Sequence, residues 1–270
     1  MKLSLTSWSL RACSLEEAAG IAHVLGIGAL DLGYFYGPAL DKAALLADPD
    51  KAAERVRRLG VTVPSFYHLF GDSLAARNLA DAGHLDANVA DFRQVARFCR
   101  AAGIPTVFVL PGVVNPGQGR AQALAQSAAS LNRLLPIAAE AGVTLTVEPH
   151  VHSYLESPAL ALELIERVPG LKLTLDYAHF VCLGWRQDEI DVLAPHAAHM
   201  HVRQGKPGAL QTKGHEGTIN MAAQLATLKA ANYAGYLSLE YVHQDYMGTL
   251  YDDVLTETIQ LRDQIRAWLA

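Results

Sequence analysis

Little in this sequence points to covalent cross-linking, to a membrane or to nucleic acid. Its three cysteines, Cys13, Cys99 and Cys182, are scattered through 270 residues with no Cys-x-x-Cys spacing. That pattern argues against a disulfide framework or a cysteine zinc site, and sets a reducing, cytoplasmic setting as the expectation. Long hydrophobic runs are also missing: the most apolar stretch, Ile104 to Val114, is short and broken by Pro111, so no membrane span is expected. Met1 to Trp8 alternates apolar and polar residues rather than forming the apolar block of a leader. No basic stripe appears, and 22 Lys and Arg against 27 Asp and Glu leave a net charge of -5, which argues against a nucleic-acid partner. No linker or shift of composition divides the chain, so residues 1–270 are expected to form a single domain.

What is present is an apolar content of 51%, enough for a full core, and a strand-helix rhythm. Lys2 to Trp8 alternates like a strand, and Ser14 followed by Glu16-Glu17 opens a capped helix to Leu25. Strands are expected at Ala29 to Gly33, Val61 to Tyr67 and Ile104 to Leu110, with helices over Ala39 to Leu59, Leu85 to Ala102 and Gln118 to Ala141. Pro136 predicts a kink or break in the last of these. Strands then end at Glu148, Asp176, Arg203 and Tyr241, separated by helices near Ser157 to Val168, Gln187 to Leu193 and Ile219 to Ala231, and Leu250 to Leu269 closes the chain. Eight such pairs, at about 34 residues each, predict an α/β fold of single-domain (β/α)8 TIM-barrel type.

The last four strands carry the chemistry. In a parallel barrel alternate side chains face the axis and the others face the helices. Val143, Leu145 and Val147, then Leu171, Leu173 and Leu175, then Ala198, Met200 and Val202, then Leu237, Leu239 and Tyr241 form the helix-facing set. The opposite set ends at Glu148, Asp176, His201 (followed by Arg203) and Glu240. Barrel active sites lie at the C-terminal strand ends, where three carboxylates would repel one another unless something positive sat among them. One divalent metal ion answers that need, taken as manganese (Mn2+), with Mg2+, Co2+, Fe2+ or Zn2+ also compatible with mixed oxygen and imidazole donors.

At these residues the chain resembles the xylose-isomerase-like TIM-barrel superfamily, including ketose 3-epimerases, inosose dehydratases and related sugar isomerases. The likeness rests on Glu148, Asp176-Tyr-Ala-His179, His199-Met-His201 and Ser238-Leu-Glu240, spanning about residues 143 to 241. It implies that Glu148, Asp176, His201 and Glu240 bind the metal, that Glu148 and Glu240 move protons, and that His179 contacts substrate. One departure stands out: where the epimerases carry a second glutamate six positions after the first, this chain has Tyr154, with Glu156 out of step. His150 and His152 are the candidates to replace it.

The expected reaction is isomerisation or epimerisation of a ketose or keto-sugar through an enediolate, with two glutamates serving opposite faces of the sugar. The alternative is a lyase or dehydratase acting on a keto-sugar or inosose, with His179, His150 or His152 as the acid. An endonuclease-IV-like DNA repair enzyme is less in keeping, because the fourth strand ends without a histidine and the loop after the seventh lacks an Asp-x-His pair. A non-catalytic sugar-binding barrel is the remaining reading. The loop from Arg203 to Gly217 brings Arg203, Lys206, Lys213 and His215 as a possible grip on an acid or phosphate, with solvated loop charge as the alternative. His68 shares its parity with Thr62 and Phe66 and is expected either to face the mouth or to serve as a hydrogen-bonding structural histidine. Trp8, Phe66 and Tyr34 to Tyr36 could stack on a sugar or simply pack, whereas Tyr246, Tyr251 and Trp268 read as core or subunit contacts. The expected partner is a small sugar or polyol-derived molecule, and the resemblance implies a homodimer or homotetramer.

Overall fold

The structure is a computed structural model that describes residues 1–250 and 253–269. Eight parallel strands, β1 (Lys2–Thr6), β2 (Leu30–Asp31), β3 (Ser65–Tyr67), β4 (Thr106–Val109), β5 (Thr144–Val147), β6 (Lys172–Asp176), β7 (Ala197–Val202) and β8 (Tyr236–Leu239), form one sheet. Its order, β2-β1-β8-β7-β6-β5-β4-β3, curls round until the outer strands meet through the single bridges Ala29↔Thr62 and Leu32↔Phe66. The result is a nearly closed TIM barrel. β2 and β3 are shorter than their sequence signals because only these isolated bridges join them.

Ten α-helices surround the barrel among the described residues: α1 (Leu15–Val24), α2 (Lys42–Ala47), α3 (Pro49–Arg57), α4 (Leu85–Ala102), α5 (Arg120–Ala141), α6 (Pro158–Arg167), α7 (Tyr177–Val181), α8 (Gln187–Ile190), α9 (Met221–Ala230) and α10 (Val254–Leu269). Ser14 and Glu17 form the capping box that their spacing predicts for α1. The single helix expected over Ala39 to Leu59 is two, because Pro49 starts a new helix capped by the Asp48 side chain. Conversely, α5 runs through Pro136 without a break. The helix expected near Gln187 ends at Ile190 and continues as a 3-10 turn to His196, and the last helix begins at Val254 rather than Leu250. Tyr251 lies outside the described residues, and Trp268 is half exposed rather than in the core.

The alternation of side chains holds in β5 to β8. Leu145, Val147, Leu173, Leu175, Met200, Val202, Leu237, Leu239 and Tyr241 are all buried against the helix layer. On the axis side, the Thr146 and Thr174 hydroxyls meet at 2.7 Å. A register shift between β6 and β7 adds one residue to β7: Ala197 pairs with Leu173, but His199 pairs with Thr174 and His201 with Asp176. This irregularity keeps both histidines in phase with the acid.

Candidate active site

A cavity of about 260 Å³ opens at the C-terminal ends of the strands. One wall is aromatic, with Trp8, Phe35, Tyr67 and Phe108, and Tyr67 stacks on Phe108 at 4.4 Å. Gly33 permits that wall, since a Cβ there would come within 3.3 Å of the Tyr67 Cβ and 3.5 Å of the Trp8 ring. The facing wall is polar and carries Glu148, His150, His152, His179, Arg203 and Glu240.

Beneath this wall the strand ends converge on His201. Its Nδ1 lies 2.7 Å from Glu148 Oε1 and 3.3 Å from Glu240 Oε2, and ligand atoms of these three buried residues all fall within 4.8 Å of one another. Glu240 Oε1 accepts the Trp8 indole N–H at 2.8 Å, while Oε2 is enclosed without a hydrogen bond. Two carboxylates and an imidazole, with one oxygen of Glu240 making no hydrogen bond, form a donor set that fits a divalent cation. Asp176 stands one step behind. Its Oδ1 accepts from the Ala178 N–H at 2.8 Å, and its Oδ2 is held by Arg203 Nε at 3.0 Å and Nη2 at 2.8 Å. The same Nη2 reaches Glu240 Oε2 at 3.3 Å. Arg203 thus supplies much of the positive charge that three crowded carboxylates require.

The ionisation states follow from these contacts. Burial pushes Glu148 up to about 7 against the pull of His201. Burial would raise Glu240 too, but Arg203 and His201 outweigh it and hold the carboxyl below its usual range. Asp176 is raised by burial despite Arg203. His201 is driven well above the ordinary imidazole value, Glu240 and Glu148 overcoming the cost of burial. His150 and His179, with ring centroids 4.1 Å apart, are both lowered by burial, His150 to about 4.

Several sequence expectations divide here. Glu148, Glu240, Arg203, His150, His152 and His179 meet in one cavity, with Asp176 and His201 directly below. His68 does not join them. It shares the side of Phe66, away from the cavity, where its Nδ1 meets the Tyr34 hydroxyl at 3.1 Å and its ring packs on Phe70; Tyr67, one residue earlier, takes the mouth-facing position. Lys206 is half-buried and paired with Glu216 at 3.3 Å, while Lys213 and His215 are exposed. The expected basic cluster therefore reduces to Arg203. Tyr154 is wholly buried, and Glu156 faces its own loop, accepting the His152 backbone N–H at 2.8 Å. The pattern of the last four strands gives no hint of Asp31, which reaches across the barrel to His199 Nε2 at 2.5 Å. A signal for it does exist, since Asp31 is the lone acid between Leu30 and Leu32 in a strand with the same alternation as the others.

The model of the xylose isomerase-like TIM barrel family matches residues 20–268. The chain belongs to that family. No curated protein matches it in sequence. Among solved structures of similar fold, an L-ribulose 3-epimerase is 23% identical, with 100% of this chain and 95% of the other covered and a TM-score of 0.74. An IolI protein with a bound zinc atom is 18% identical over 99% and 97%, at 0.74. A D-psicose 3-epimerase with D-tagatose from Clostridium cellulolyticum is 16% identical over 100% and 99%, at 0.76. At these identities the likeness is one of fold. No helix of the described residues is long and apolar enough to cross a membrane.

Proposed function

We propose that this xylose isomerase-like barrel is a metal-dependent isomerase or epimerase of a ketose or related keto-sugar. The observation that carries the reading is the pair of buried, cavity-facing carboxylates, Glu148 and Glu240, set on two sides of His201 Nδ1. Glu148, His201 and Glu240 would hold the ion, with Asp176 joining if Arg203 releases it. A divalent cation there, taken as manganese, would polarise the substrate carbonyl and stabilise enediolate charge. The solved structures that share the fold, two of them 3-epimerases and one holding zinc, support this reading.

The chain's own groups then divide the work. Glu148, facing the cavity beyond the end of β5, removes the proton α to the carbonyl. Glu240, fixed by the Trp8 N–H, serves the opposite face. The aromatic wall covers the apolar face of the sugar and keeps water out. His150 donates its Nδ1–H to the Val151 carbonyl at 2.7 Å, so its Nε2 lone pair is left for a substrate hydroxyl. It thereby takes over part of the role of the missing second glutamate. The lyase reading needs a protonated acid, and burial holds two of its three candidates, His150 and His179, below the ordinary imidazole range, which favours epimerisation.

Elemental analysis of the purified protein, followed by proton NMR in heavy water with a panel of ketoses, keto-sugars and inososes, tests the proposal. Bound metal and exchange of a carbon-bound hydrogen are expected, both lost in Glu148→Gln. Unchanged exchange in that variant would remove Glu148 from the mechanism.

A further inference from the structure

We propose that Asp31 is a positioning residue for His201, fixing which ring nitrogen faces the two glutamates. The inference rests on the reading of His201 as a metal ligand. β2 delivers Asp31 to the barrel axis, where its Oδ2 lies 2.5 Å from His199 Nε2 and 3.7 Å from His201 Nε2. Its other oxygen, Oδ1, is enclosed without a hydrogen-bond partner, and so is His201 Nε2. The opposite nitrogen of His201, Nδ1, is the one that faces Glu148 and Glu240.

The chemistry of imidazole links the two ends. When one nitrogen binds a cation, the other carries the proton and seeks an acceptor, commonly a carboxylate. Asp31 stands 3.7 Å below Nε2, so a proton on that nitrogen faces a carboxylate and the Nδ1 lone pair is presented upward. The reverse tautomer would set a lone pair against the Asp31 carboxylate and aim an N–H at the ion. His199 completes the device, because its Nε2–H donates to Asp31 and holds the carboxylate in place. The surroundings are polar as well. Ser238 is the register neighbour of His201, Ser4 is the register neighbour of Ser238, and both hydroxyls are buried on the axis side. Barrel interiors are normally filled with branched apolar side chains, so packing alone does not account for an acid at position 31.

The test uses the full chain with Zn2+ as probe. Zinc affinity is measured by chelator competition for the wild type and Asp31→Asn, together with thermal melting, and histidine 15N NMR is recorded on the zinc-loaded wild type. Substitution should weaken zinc binding of the folded protein by about 10–100-fold, the usual effect of removing such a partner, beyond the fall in melting temperature that loss of the buried contact with His199 brings. Equal affinity in the two proteins overturns this inference alone, whereas no zinc uptake by the wild type overturns the metal reading and this inference with it. If Asp31→Asn does not fold, the wild-type spectrum decides. Zinc on His201 Nδ1 with a slowly exchanging Nε2–H supports the role, and zinc on Nε2 overturns it.

Discussion

Arg203 grips Asp176 through two nitrogens on a single carboxylate oxygen, at 2.8 and 3.0 Å, and both side chains are almost wholly buried. The contact fixes the floor of the cavity. It also sets Arg203 against any cation that would draw Asp176 into its coordination shell, since one carboxylate cannot serve both fully.

Arg203→Gln should therefore be costly in the metal-free protein. Removing one partner of a buried ion pair typically costs about 3–5 kcal/mol. Excess Mn2+ should recover part of that loss, because the cation replaces the missing charge beside Asp176 and Glu240. Denaturant unfolding with and without Mn2+ measures both; a variant as stable as wild type in the absence of metal would remove the argument.

Glu240 depends on Trp8 in a similar way. A hydrogen bond to a charged group contributes about 1.5–3 kcal/mol, so Trp8→Phe, which keeps the aromatic wall but removes the N–H, should lower turnover by at least about tenfold. The fall should appear mainly in kcat, since the ring keeps its place in the cavity wall. A change confined to KM would show that Trp8 acts only as a wall.

His68 gives the fold a pH limit of its own. Burial holds its imidazole down at about 3, against an ordinary value of 6.5. Between those values the unfolded chain binds a proton that the folded chain does not, so stability rises with pH through this window. The contribution is fully present above about pH 6.5 and declines as pH falls toward 3. His68→Gln, which can keep a hydrogen bond to Tyr34, should flatten the acid side of a stability-pH curve measured by urea unfolding. An unchanged slope between pH 6 and 4 would dismiss the effect.

Tyr154 stands where the epimerases carry a glutamate, yet restoring the acid should not restore their chemistry. The side chain is fully enclosed and its backbone carbonyl accepts from Arg120 at 3.0 Å. Tyr154→Glu would bury a carboxyl with no cation provided for it, lowering stability by at least about 3 kcal/mol without raising activity. A gain in epimerase activity from this variant would show that position 154 reaches the substrate.

Much of this architecture is legible in the chain, for a reason visible in particular residues. Leu173, Leu175 and Asp176 obey a two-residue period that a barrel strand imposes on any sequence that forms it, so the side on which each polar residue falls can be read directly. His68 shows where that reading stops. It does share the parity of Phe66, but parity does not say which of two faces is the axis when both are buried. Lys206 shows a second limit, since a loop has no period and its charges go wherever solvent and Glu216 take them. Asp31 obeys the rule between Leu30 and Leu32, but a period gives only the side on which an acid falls and not that His199, on a distant strand, will meet it.

By itself the sequence determined the eight-strand rhythm and the inward phase of Glu148, Asp176, His201 and Glu240, because these follow from local periodicity. Only the tertiary structure decided that Arg203 would hold Asp176, that Asp31 would stand beneath His201, and that the His150 and His179 rings would meet in the cavity wall. Those relationships join strands far apart in the chain, and their distances arise only when the barrel curls round and removes the groups from water.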